Sequence, residues 1–133
     1  ADYNEAIRLK PNDAIAYNNR GNAKKALGDN QGAIADYNEA IRLKPDFAAA
    51  YNNRGIAKKA LGDNQGAIAD YNEAIRLKPD DAGAYYNCGL IKKERGEKQS
   101  ALADFQKAAE LYQQQGNMEW YNNSRDRIKE LGG

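Results

Sequence analysis

Apolar positions along residues 14–47 come in two bursts, and each burst has the spacing of a helix. In the second, Ala33, Ile34, Tyr37, Ala40 and Ile41 follow the three-and-four rhythm that lines up side chains on one buried stripe. The first, Ala14 to Leu27, is rich in helix formers and ends at Gly28, a residue that takes the left-handed cap conformation at little cost. Asp29 or Asn30 then offers a side-chain oxygen to the free N–H groups of the next helix. Pro45 closes the segment, because proline cannot continue a helix interior. The pattern predicts two antiparallel helices, and the small residues Gly21, Ala33 and Ala40 let them approach closely. Gly55, Ala67, Ala74 and Pro79 repeat these features further on.

That recurrence is nearly exact. The segment 14–47 returns as 48–81 with three differences, Ile15/Ala49, Asn22/Ile56 and Phe47/Asp81. A more divergent copy follows at 82–115. Residues 1–13 repeat the second half of the unit, and 116–133 supply a closing helix that resembles the first half. In that helix Trp120 and Asn122 fall where Tyr17 and Asn19 fall, after one extra residue near Gly116. Met118, Trp120, Tyr121, Ile128 and Leu131 are expected to face inward, with Arg125, Asp126, Arg127, Lys129 and Glu130 toward water, as a terminal cap requires. Tyr3, Ala6, Ile7 and Leu9 belong to a helix whose pairing partner is missing. Two readings stand for it: a fragment of a longer array with a frayed first helix, or a stripe that pairs with another copy of the chain. The near-identity of the first two units fits recent duplication or deliberate construction.

Tyr17, Gly21, Gly28, Ala33, Tyr37, Ala40 and Pro45 occupy unit positions 4, 8, 15, 20, 24, 27 and 32, and this set resembles the tetratricopeptide repeat. The resemblance covers essentially the whole chain. It implies an all-α fold, a right-handed α-solenoid of antiparallel helical hairpins, as one domain over 1–133. Some positions depart from the family pattern. Position 7, usually leucine, is Arg20, Arg54 and Cys88, and the register sets the arginines to pair with Asp36 and Asp70 one helix over. Position 17, often tyrosine, is Asn30, Asn64 and Lys98. Gln113 replaces the proline of the third unit, so its second helix is expected to run to about Gln115.

Composition narrows the function. With 20 basic and 19 acidic residues the net charge is +1, without the basic excess of a nucleic-acid binder. No apolar run approaches the roughly 20 residues of a membrane span, and no charged-then-apolar leader opens the chain. A cytoplasmic location is the expectation, in keeping with a single cysteine, Cys88, which excludes an internal disulfide. Histidine is absent, which removes the usual general base and the commonest metal ligand. Neither catalysis nor a cofactor is expected. Cys88 reads as a small buried hydrophobe. Asp36 with Glu39, and Asp70 with Glu73, have a spacing common on solvated helices and do not make a metal site.

The family resemblance implies that the first helix of each pair lines a concave face, where ligand contacts fall. Position 6 is Asn19, Asn53 and Asn87; position 5 is Asn18, Asn52 and Tyr86; position 9 is Asn22, Ile56 and Leu90; position 12 is Lys25, Lys59 and Lys93. An asparagine amide both donates and accepts, so a ladder of them matches the backbone of an extended polypeptide. The lysines add a mild preference for acidic or phosphorylated segments. The competing reading is structural, with Asn19 and its equivalents bonding to a neighbouring helix. Family members that clamp the C-terminal carboxylate of chaperone tails use lysine at 5 and asparagine at 9 of the first unit. They add asparagine at 6 of the second unit, then lysine at 2 and arginine at 6 of the third. Here Asn22 and Asn53 match, but Asn18, Gly83 and Asn87 stand where the three cations belong, so no such clamp is expected. The expected partner is a protein or peptide held on the concave face. The alternative is a structural or assembly element without a small ligand.

Overall fold

The computed structural model describes residues 2–133, which form eight helices and no strand. They are α1 (Asp2–Leu9), α2 (Ala14–Ala26), α3 (Asn30–Leu43), α4 (Ala48–Ala60), α5 (Asn64–Leu77), α6 (Ala82–Glu94), α7 (Lys98–Gln114) and α8 (Met118–Glu130). The helices group into two compact units, Ala1–Leu77 with α1 to α5 and Lys78–Gly133 with α6 to α8. In the first, α2 pairs with α3 and α4 with α5, while α3 lies against α4 and α1 against α2. In the second, α7 packs between α6 and α8.

The helix boundaries follow from cap chemistry. Asp29 accepts a bond from the Gly32 N–H at 2.9 Å, Asp63 from Gly66 at 2.9 Å and Asp81 from Ala84 at 3.1 Å. Each such cap contributes about 1 kcal/mol. Phe47 stands where Asp13 and Asp81 cap the other first helices, and it makes no side-chain bond to α4. At the hairpin turn Gly28 adopts φ +85°, which lets the Asp29 N–H reach back to the Lys24 carbonyl at 2.9 Å. The longest helix, α7, ends at Gln114, with Gly116 at φ +73° just beyond it, as the missing third-unit proline predicts.

Close approach inside each pair is set by glycine against an aromatic ring. A Cβ on Gly21 would lie 2.7 Å from the Tyr37 ring, and one on Gly55 only 2.6 Å from that of Tyr71. Gly89 meets Phe105 in the same way at 2.7 Å. Around these contacts Ala33, Tyr37 and Ala57 form a core of the first unit. Tyr86, Phe105, Leu111, Tyr112 and Ile128 are central to that of the second.

The closing helix corrects several expectations. The N-caps of the first helices are Asp13, Phe47, Asp81 and Asn117, so the last interval is longer than the others by two residues, not one. Tyr121 and Asn123, not Trp120 and Asn122, therefore fall where Tyr17 and Asn19 fall. Trp120 takes the place of the buried alanines Ala16, Ala50 and Ala84. The indole is too large for that slot, so it stays 40% exposed. It rests edge-on against Tyr86 (centroids 5.2 Å apart) and stacked on Tyr112 (6.1 Å). Met118 is also exposed, while Ile128 is buried and Tyr121 and Leu131 pack beside it, as expected. Arg127 does not simply face water, because it donates to the Tyr86 hydroxyl at 3.4 Å and pairs with Glu130 at 2.6 Å. Ser124, not singled out from the sequence, is fully buried and donates its hydroxyl to the Trp120 carbonyl at 2.9 Å. At the other end the stripe of α1 is partly covered: Ile7 is buried, whereas Tyr3 and Leu9 remain exposed.

Candidate functional site

The first helices of the first unit carry their charge in one sign. Arg20, Lys24 and Lys25 on α2, and Arg54, Lys58 and Lys59 on α4, are accompanied by no acid on either helix. Most of these cations face the second helices. Arg20 grips Asp36 through two nitrogens at 2.9 and 2.7 Å, and Arg54 grips Asp70 at the same distances. The pairing expected from register is therefore present in the repeats 14–47 and 48–81, both in the first compact unit. Each carboxylate also takes a lysine, Lys24 at 3.1 Å or Lys58 at 3.2 Å. The sequence signal for that second cation is a lysine four residues after an arginine, which lies on the same helix face. The guanidiniums reach further still, Arg20 donating to Asn4 on α1 at 3.0 Å and Arg54 to Asn38 on α3 at 2.8 Å. One arginine thus ties three successive helices.

Burial would raise the Asp36 carboxyl, but the hydrogen bonds from Arg20 and Lys24 outweigh it and hold the group below its ordinary value. In the second unit Cys88 replaces the arginine and is buried, its thiol pushed up to about 12 by desolvation and by the nearby Asp104 carboxylate. Among the described residues Asp104 keeps only Lys92, at 2.8 Å, and its Oδ2 has ion-pair but not hydrogen-bond geometry. Asp36 turns to the clamp while Glu39 pairs with Arg42, and Glu73 pairs with Arg76, so these acids do not converge.

The candidate asparagines divide. Asn18, expected to be exposed, is buried, and its side-chain oxygen accepts a bond from the Asn53 amide at 3.2 Å, joining α2 to α4. On α2 this position faces α4, which closes over it; Tyr86, at the same position of α6, is buried too. Asn22 accepts the Tyr37 hydroxyl at 2.5 Å. The two residues that match the chaperone-tail clamp, Asn22 and Asn53, are thus both committed inside the unit. Asn52, Lys59 and Asn87 are half-buried and already engaged. Lys93 pairs with Glu130 of α8, and the hydrogen bonds from Arg127 and Lys93 bring that carboxyl down to about 2. What is left on α2 is Asn19 and Lys25, both half-buried, with no side-chain partner among the described residues.

Comparison with known proteins agrees with this architecture. A family model described as TPR repeat matches residues 1–28, 21–62 and 57–96, and one described as Tetratricopeptide repeat matches 82–115. Among curated proteins none matches the chain. Of solved structures, the Arabidopsis OM64 TPR domain is 27% identical with a TM-score of 0.78, over 89% of this chain and 93% of that one. The first TPR of Spaghetti (RPAP3), bound there to the HSP90 peptide SRMEEVD, is 24% identical with a TM-score of 0.77, over 90% and 94%. MamA is 22% identical with a TM-score of 0.75, over 98% and 84%. With glycine-against-ring hairpins throughout and family models matching from residue 1 to residue 115, this all-α solenoid belongs to the tetratricopeptide repeat family.

Proposed function

We propose that the chain is a protein-interaction module, not an enzyme, and that it holds an extended polypeptide or a partner helix against the first helices of its hairpins. The observation that carries this reading is the pair Asn19 and Lys25. Most polar side chains of α2 and α4 are engaged within the protein, whereas these two, six residues apart on α2, present an amide and an ammonium without a partner among the described residues. An unengaged amide can hydrogen-bond a peptide unit in either direction. The basic character of α2 and α4 favours acidic segments. Spaghetti binds its HSP90 peptide on a similar fold, but Asn18, Gly83 and Asn87 here lack the charge to hold a chain-terminal carboxylate, so the proposed ligand is an internal segment.

Peptide display against the protein and against Asn19→Ala tests the proposal. Sequences enriched on the protein should lose most of their enrichment on the variant, with circular dichroism unchanged. Equal enrichment on both, or none on the protein, would count against a binding role for this face and favour a scaffold.

A further inference from the structure

Lys25 sits in an arrangement that the second unit shows completed. On α6 the same unit position is Lys93, and its ammonium pairs with Glu130, the last residue of α8. Between α2 and α4 the corresponding acid is missing, because the last residue of α4 is Ala60 and the whole helix contains no acidic residue. Lys24, one residue earlier, is held by Asp36, whereas Lys25 has no anion among the described residues. The residue is nevertheless half-buried, and desolvation lowers its pKa. A partly desolvated cation without a counter-ion is an unfavourable arrangement in the free protein, and an incoming anion relieves it.

We infer that Lys25 is an anion subsite of the α2–α4 face, filled by the side-chain carboxylate of an acidic residue in a bound polypeptide. The inference rests on the proposed peptide-binding role and adds the chemistry of one contact. Glu130 against Lys93 is the internal precedent: a carboxylate arriving from the neighbouring position on the array, at the height of the last helical turn. Asn19 and Lys25 lie six residues apart on α2, about 9 Å along its axis and about 120° apart around it, with Asn22 midway, so they mark a slanting row across the helix surface. A segment whose backbone meets Asn19 can therefore bring a glutamate side chain to Lys25.

The test uses two fluorescein-labelled twelve-residue peptides, one alternating glutamate and serine, the other alternating glutamine and serine. Anisotropy is read with the full chain and with Lys25→Gln, Lys25→Arg, Ala60→Glu and Asn19→Ala, all checked for helicity. The glutamate peptide should bind the protein about fivefold more tightly than the glutamine peptide, as one partly desolvated ion pair implies. That preference should vanish in Lys25→Gln, survive in Lys25→Arg, and vanish in Ala60→Glu, where an internal carboxylate fills the subsite as Glu130 does beside Lys93. A glutamate preference unchanged by Lys25→Gln overturns the subsite. Equal binding of both peptides, weakened alike by Asn19→Ala, overturns the subsite and leaves the peptide face standing. Binding of neither peptide overturns both.

Discussion

At the scale of single residues, the arginine that replaces the family's usual leucine has the largest consequences. Arg54 and Asp70 are mostly buried, with side chains 18% and 5% exposed. Removing one partner leaves a desolvated charge, whereas removing both leaves an ordinary apolar contact. We expect Arg54→Leu to destabilise the protein by about 2 kcal/mol, less than a wholly isolated pair because Lys58 stays beside Asp70. Adding Asp70→Leu should recover most of that loss. Urea denaturation of the two single variants and the double variant measures the coupling, and strictly additive costs would contradict it. The clamp was legible in the sequence because positions 7 and 23 recur together in two units. Burial of Asn18 was not, since an asparagine on a helix carries no sign of which neighbour will close over it.

At the scale of the helical element, the hairpin is defined by the contact between a glycine and a ring. A methyl group on Gly55 would lie 2.6 Å from the Tyr71 ring, so the ring or the whole of α5 would have to shift. Gly55→Ala should therefore cost about 2 kcal/mol, despite the better helix propensity of alanine. Hydrogen exchange should place the lost protection first in α4 and α5. A cost below a few tenths of a kcal/mol would show that the ring moves freely. Helix ends and turns could be read from Gly28, Asp29, Pro45 and their equivalents, because cap chemistry is local. The register of α8 could not. Two residues were gained where α7 runs on without its proline, and only the position of the Asn117 cap shows how they were absorbed.

At the scale of the whole molecule, near-neutral charge conceals an ordered arrangement of acids against bases that acid should undo. The folded-state pKa of Asp36 lies below its ordinary 3.8, and Glu130 titrates at about 2 against an ordinary 4.5. Groups that bind protons less tightly when folded stabilise the fold above their unfolded pKa and lose that contribution as pH falls through the folded value. The urea midpoint should therefore hold from pH 7 to about 5 and drop between about 4.5 and 2, where these carboxylates take up protons. A midpoint that stays level or rises over that interval would contradict the assignment. No helix among the described residues is long and apolar enough to cross a membrane. By itself the sequence determined the repeat, the helices, their caps and the family, because periodicity, glycine, proline and side-chain caps act over a few residues and recur every 34. Which polar groups remain available to a ligand was decided only by tertiary structure. Asn18, Asn19, Asn22 and Asn53 look alike in sequence, but hydrogen bonds between helices engage three of them and leave Asn19, like Lys25, without a side-chain partner among the described residues.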